Sequence, residues 1–389
     1  MIRLGPLDRI ERACLAPPVF FWSANQAAAQ GGVNRVGMNR RGRLLAMGSE
    51  GYSGYTVANP GCAVRGEWLY SMQTDRRAII RRRIPVGAWE CFASIEPNPL
   101  SDPCVNGRAL FWLGSEAYPY VLTKLTMAGA LSAGAINRPG YDYQIVEKYG
   151  VSTVLANDAV VLVQLIAGGP NEYDAWHSQT IIHSAADLSY VSEAFIQSTV
   201  TNLLPTPQGP VFHRLRQRSL ASTCIMKDGF FVLDIDWDEY GEQSNFSWGW
   251  GKNVPLNATL TSFENSGALR WSTSGLHNIL LPPGLGETNI LWYGVCAVAM
   301  AADERMIYFN RVWRDNRMGV DGGLGDVLYR HDVVAYPHQG GVVDFSAPEL
   351  GPVAHVSFTV YPHSGYGSRN GLSFTPWTAD QLREMGDLP

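Results

Sequence analysis

The chain has 389 residues, 46% of them hydrophobic and only 17% charged, with a formal net charge of −5. That length buries an ample core in one to three domains, and no apolar run reaches the ~18 residues of a membrane helix. The opening Met1-Ile2-Arg3-Leu4-Gly5-Pro6 lacks the charged and apolar regions of a signal peptide, so synthesis in the cytoplasm without export by a leader is the expectation.

Charge is distributed unevenly. Residues 1–83 hold 13 arginines, no lysine and 5 acidic residues, a local balance of +8; the remainder carries 17 basic and 30 acidic side chains. A molecule polarised in this way has one end that favours an anionic neighbour and a body that repels one. The concentrated part of the basic region is Arg40, Arg41 and Arg43 with Arg76, Arg77, Arg81, Arg82 and Arg83, the last five flanking Ala78-Ile79-Ile80. Aromatics do not interleave with these arginines as a base-stacking surface requires, which favours a protein partner over nucleic acid without closing the second option. The expected partners are other proteins of a large assembly, docked through this N-terminal region, together with further copies of the chain.

Forty glycines, 23 prolines and 43 aromatics suit a turn-rich β protein. Helix signals are few. Leu122–Ile136 is rich in Ala, Leu and Met, Ser184 caps a near-helical pattern running to Leu204, and Thr378–Met385 reads as a short last helix stopped by Gly386. Pro205, Pro207 and Pro210 then mark a boundary, dividing a basic, mixed-β region (1–207) from a hairpin-rich all-β one (208–389).

Beyond residue 215 the pattern is β. Thr223–Met226, a Lys227-Asp228-Gly229 turn and Phe230–Trp237 read as a hairpin, with Asp-Gly supplying a positive φ. Similar turns recur at Asn265-Ser266-Gly267, Ala302-Asp303-Glu304, Gln339-Gly340-Gly341 and Asn370-Gly371, in steps of 38, 36, 37 and 31 residues. The fold class is therefore mainly β: repeated antiparallel hairpins, β-propeller-like or a tandem β-sandwich, with a few short helices.

The sharpest chemical feature is Leu233-Asp234-Ile235-Asp236-Trp237-Asp238-Glu239-Tyr240. On a strand, Asp234, Asp236 and Asp238 share one face, with neighbours roughly 7 Å apart. Carboxylates so placed raise each other's pKa, as a glycosidase needs to keep one acid protonated. Trp237, Trp248 and Trp250 lie nearby in sequence, as sugar-stacking rings would.

This run resembles two glycoside hydrolase signatures. Asp234-Ile-Asp236-Trp-Asp238 is similar to the chitinase-type Asp-x-Asp-x-Glu motif, with Asp238 at the place of the catalytic Glu. The stretch from Asp234 to Glu239 is similar to the laminarinase-type Glu-x-Asp-x-x-Glu motif, with Asp234 at the place of the nucleophile. The resemblance implies Asp234, Asp236 and Glu239 as catalytic acids of a carbohydrate-active enzyme, or a lectin-like module that binds a host-surface glycan without cleaving it. Against both stands the leading expectation: a non-enzymatic structural or adhesive virion protein of a bacteriophage tail or capsid appendage.

No metal or cofactor is expected. The spacings of His331, His338, His355 and His363 match no compact ligand pattern, Asp315–Asp326 departs from a calcium loop at Arg317, and no phosphate or dinucleotide fingerprint is present. The six scattered cysteines form no Cys-x-x-Cys pair and read as free thiols.

Overall fold

A computed structural model of the chain describes 26 strands. It also describes the turns at 106–108, 127–130, 157–159, 185–189, 226–228, 265–268 and 340–341, and residues 95, 136, 274–276, 305 and 344–347. The strands fall into six antiparallel sheets. The first contains β1 (Pro18–Ala24), β2 (Gly32–Met38) and β3 (Leu44–Gly51), and is completed by the last strand, β26 (Ser373–Pro376), in the order β26-β1-β2-β3. The second is β4 (Cys62–Arg65), β5 (Trp68–Gln73), β6 (Ala78–Arg83) and β7 (Glu90–Ser94). The third is β8 (Cys104–Val105), β9 (Ala109–Gly114), β10 (Val121–Thr126) and β11 (Leu131–Ala135). The fourth is β12 (Val151–Ala156), β13 (Val160–Ala167), β14 (His177–Ser184) and β15 (Tyr190–Ile196).

The fifth sheet has five strands, β16 (Val200–Pro205), β17 (Phe212–Ile225), β18 (Gly229–Glu242), β19 (Lys252–Glu264) and β20 (Leu269–Thr273). Its β16–β17 pairing spans the proline-bearing stretch at 205–210. The sixth is β21 (Ala297–Ala302), β22 (Met306–Asp315), β23 (Leu328–Gln339) and β24 (Val342–Val343), with β25 (Val356–Thr359) paired to the other end of β23. Six up-and-down sheets in chain order, the first completed by the final strand, make the fold β-propeller-like. Each sheet is a blade.

The described residues contain no helix, which overturns two helical expectations. Leu122–Ile136 is the β10–β11 hairpin, in register from Val121↔Ala135 to Leu125↔Leu131. Ser184–Leu204 becomes a turn, then β15 and β16. In both segments pairing and burial on a sheet outweigh a weak helical spacing, as β-branched Val191 and Val200 favour. The helix expected at Thr378–Met385 lies outside the described residues.

Period-two alternation explains why the strands at the heart of each blade read as unbroken apolar runs. In β9, Leu110 and Trp112 pack on Tyr70 and Ile79 of the second blade. Ala109, Phe111 and Leu113 turn the other way, onto Val161, Val163 and Ile181 of the fourth. In β13, Val160 and Leu162 meet Phe230 and Val232 of the fifth; in β18, Phe231 and Leu233 meet Met300, Ile307 and Phe309 of the sixth. The third, fourth and fifth blades therefore each have two dry faces. Fully burying one such side chain stabilises the fold by about 1.5–3 kcal/mol.

One backbone bond recurs in four blades. At the end of β10, β14, β19 and β23, one residue donates its N–H to a carbonyl in the turn that precedes the central strand of the blade (β9, β13, β18 and β22): Met127 to Arg108, Ala185 to Ala159, Asn265 to Asp228 and His338 to Arg305, at 2.7–3.3 Å. The ~37-residue turn spacing thus marks alternate turns within a blade, and a blade spans two steps. Asn106 and Asn157, equivalent in successive blades, are 51 residues apart; Asn157 and its counterpart Met226 are 69 apart.

The turn chemistry differs at Gly229, which is not at positive φ. A Cβ there would run into the carbonyl oxygen of Phe263 on β19, so close approach requires the glycine. Positive φ is needed instead in the β10–β11 and β19–β20 turns, by Gly129 (90°) and Gly267 (83°). Leu188 takes the corresponding place in the fourth blade at 64°, its side chain buried between the third and fourth blades.

Candidate interaction surface and the buried acidic strand

The acidic run lies on β18, and its first carboxylate is inside the protein. Asp234 is 1% exposed, opposite Leu220 on β17 and Thr259 on β19. By alternation it shares the face of Phe230 and Val232 that packs on the fourth blade. A buried polar layer belongs to the same junction: Gln164 of β13 donates to Thr180 Oγ1 at 3.3 Å and to Thr223 Oγ1 on β17. Asp234 is shut off from solvent because both sides of β18 over Phe230–Asp234 are covered by neighbouring blades. Asp236, Trp237 and Glu239 lie on the same strand with side chains outside the described residues, and so do Trp248 and Trp250.

Of the arginine-rich region, Arg81 and Arg83 stand in a cross-strand ladder on the second blade. Arg81 Nε donates to Glu90 Oε1 at 2.6 Å, and its guanidinium lies 4.2 Å from the Trp68 ring centre and 4.7 Å from that of Phe92. Arg83 sits over the other part of the stack, 5.2 Å from Trp68. Register explains the assembly: Trp68 opposes Arg83, Tyr70 opposes Arg81, and Arg81 opposes Glu90 across β5, β6 and β7. The Arg81 side chain keeps 29% of its surface and Glu90 keeps 51%, so water screens the pair and the ion pair itself contributes at most about 1 kcal/mol. What the stack supplies is placement: a planar cation held between two rings. Arg82 is on β6 with its side chain outside the described residues; Arg40, Arg41, Arg43, Arg76 and Arg77 lie outside them altogether.

Sequence reasoning missed the residues that couple blades. Asn106 Nδ2 donates to the Asn157 carbonyl at 2.8 Å, and Asn157 Nδ2 donates to the Met226 carbonyl at 2.8 Å and to Asn265 Oδ1 at 2.8 Å. Each asparagine Oδ1 also accepts two N–H groups of its own turn. Arg65 adds a bond from the second blade to the Gly107 carbonyl at 2.6 Å. The signal was present as Asn three residues before the buried runs Ala109–Leu113 and Val160–Val163, an Asx turn opening a strand.

His183 is fully buried, with Nδ1 bonded to the Leu188 carbonyl at 2.9 Å. Burial pushes its pKa below the ordinary imidazole value, so the ring is neutral with the proton on Nδ1. Lys124 from the third blade donates to the Ala185 and Ala186 carbonyls of the same turn, at 2.8 and 2.7 Å. Cys104 and Cys224 are buried free thiols whose pKa values are driven up by loss of water; Cys91 is free and exposed. Among the described residues no group of three or more His, Cys, Asp or Glu side chains could hold a metal ion.

No family model and no curated protein matches the chain. Solved structures align with it over long stretches at low similarity. A chain of a nidogen/laminin complex is 8% identical with a TM-score of 0.37, covering 92% of this chain and 97% of that one. Apo AztD from Citrobacter koseri is 9% identical at a TM-score of 0.31, covering 93% and 98%. The β-propeller domain of the Trilobed protease from Pyrococcus furiosus is 11% identical at 0.30, covering 75% and 99%. The fold assignment rests on the chain's own sheets.

Proposed function

We propose that the chain is a non-enzymatic structural or adhesive component of a large assembly, of the kind that forms a bacteriophage tail or capsid appendage. On this reading it is made in the cytoplasm, resides in the virion, and docks onto other virion proteins through its basic N-terminal quarter. The observation that carries the reading is the fate of the acidic run: Asp234 is 1% exposed within a blade junction, where no glycan reaches its carboxyl. A buried carboxylate on the strand face that meets the fourth blade serves packing specificity between blades. The charge polarity of the sequence and the Arg81 stack supply the docking half of the reading.

Two measurements test it together. The wild-type chain, incubated with a panel of bacterial surface glycans, releases no new reducing ends, and the genes beside its own encode portal, capsid or tail proteins. Hydrolysis abolished by Asp236→Asn, with glycan-degradation genes as neighbours, overturns the proposal in favour of a glycoside hydrolase.

A further inference from the structure

Asn106-Gly107 is one of two Asn-Gly pairs in the chain, the other being Asn370-Gly371. Asparagine is a thermolabile residue, and a glycine after it leaves the next backbone nitrogen unscreened, because glycine has no Cβ. In the reaction this permits, Gly107 N bonds to Asn106 Cγ and the Cγ–Nδ2 bond breaks. The proton of the Gly107 N–H departs with Nδ2 as ammonia, and a cyclic succinimide remains. Water then opens the ring at one carbonyl or the other, leaving aspartate or isoaspartate at 106. Water is the only co-reactant.

The closed junction of the third and fourth blades engages every atom of that step. Asn106 is 8% exposed. Its Oδ1 accepts from the Arg108 and Ala109 N–H groups, both at 2.8 Å, which holds the carboxamide in its Asx-turn orientation. Nδ2 donates to the Asn157 carbonyl of the fourth blade at 2.8 Å. The attacking nitrogen is occupied as well, since the Gly107 N–H donates to Asp158 Oδ1 at 3.0 Å. Ring closure consumes that N–H and expels Nδ2, so both inter-blade bonds must be given up before it can run.

Gly107 belongs to the guard. A Cβ at 107 would stand 2.9 Å from Asp158 Oδ1, too close for the carboxylate to stay where it is. The residue that makes Asn106 vulnerable is therefore the one that admits the side chain protecting it. Asn157 makes the same two Oδ1 bonds in the equivalent turn, but there Asp158 follows and its side chain screens the nitrogen.

We propose that Asn106-Gly107 is a deamidation site gated by this junction: silent while the two blades are closed, converted by water when they part. The conversion is one-way. Aspartate at 106 replaces the Nδ2 donor by an oxygen facing the Asn157 carbonyl, and isoaspartate adds a methylene to the backbone of the turn. The junction then re-forms less stably, so an opening leaves a permanent chemical mark on the chain.

Peptide mass mapping of the full chain, incubated at neutral pH across a urea series, tests this. In urea above the unfolding transition, positions 106 and 370 are expected to convert at similar rates. Without urea, conversion at 106 is expected to be about thirtyfold slower than in urea, the equivalent of two net hydrogen bonds. Asp158→Ala, at an exposed position, is expected to speed native conversion about fivefold, the equivalent of one such bond. Asp158→Asn still accepts through Oδ1 and is expected to keep the wild-type rate. Three results overturn the inference: native conversion at the urea rate, an Asp158→Ala chain that converts no faster than the wild type, or an Asn106→Asp chain, the product made directly, with the wild-type urea midpoint. If Asp158→Ala does not fold, the wild-type series decides alone: the rate at 106 must rise through the unfolding transition, and a flat rate overturns the gate.

Discussion

Replacing Asn157 by Ala is expected to cost about 3 kcal/mol of stability. Asn157 is 9% exposed, and its amide is used from both ends. Oδ1 accepts from the Ala159 and Val160 N–H groups at 2.9 and 2.8 Å, which closes the first turn of the fourth blade. Nδ2 reaches across to the Met226 carbonyl and to Asn265 Oδ1, both at 2.8 Å, tying that turn to both turns of the fifth blade. Each such bond nets about 1 kcal/mol, and a buried carbonyl left without its donor costs more. Asn157→Asp retains the accepting half and replaces the donor by an anion aimed at oxygen atoms, so it is expected to be at least as damaging as Ala. Asn106→Ala loses a smaller set and is expected to cost about 2 kcal/mol. Urea titration checks all three: the midpoints fall in the order wild type, Asn106→Ala, Asn157→Ala, with the slope preserved. An Asn157→Ala midpoint equal to that of the wild type would remove the inter-blade ladder from the account.

Trp112→Ala is expected to cost about 3–5 kcal/mol, the range for deleting a large aromatic from a packed core. Trp112 is fully buried, among Tyr70, Ile79, Ile95, Leu110 and Leu125 at the junction of the second and third blades. Its indole Nε1 has no hydrogen-bond partner. An orphaned buried donor is a standing cost, so Trp112→Phe, which removes the donor and keeps most of the ring, is expected to cost less than about 1.5 kcal/mol. The pair of variants therefore separates volume from polarity. Should Trp112→Phe prove as harmful as Trp112→Ala, the indole nitrogen is satisfied in solution and the junction is wetter than described.

The strand content was legible where turn chemistry and alternation coincided. Thr223–Trp237 reads directly as a hairpin because Asp228-Gly229 interrupts two apolar runs, and β17 and β18 form it. Even so, the reason for Gly229 was misread: the constraint is the Phe263 carbonyl on a third strand, a contact that only the folded sheet creates. Leu122–Ile136 was misassigned because both faces of β10 are covered, so its apolar residues show no period of two and mimic a helical stripe. The blade period was hidden by uneven loops; residues as different as Asn157 and Met226 hold equivalent backbone positions, which similarity of side chains cannot reveal.

The sites were less legible than the fold. Sequence placed Asp234, Asp236 and Asp238 together on one face; of these side chains only that of Asp234 is among the described residues, and it is buried. Sequence could not say that this face meets another blade, because burial of a strand face is decided by its neighbours in space.

The propeller-like fold stands on one structural claim: the chain closes on itself through β26 and β1. Phe20 of β1 and Phe374 of β26 face each other in register. Antiparallel partners have Cα atoms about 4.5–5.5 Å apart, within the span of a disulfide. In a Phe20→Cys/Phe374→Cys chain, mild oxidation should give the 20–374 cross-link by peptide mass mapping and raise the thermal midpoint of a single transition. Free thiols at 20 and 374 after oxidation, or a cross-link that leaves the midpoint where it was, would contradict the closure.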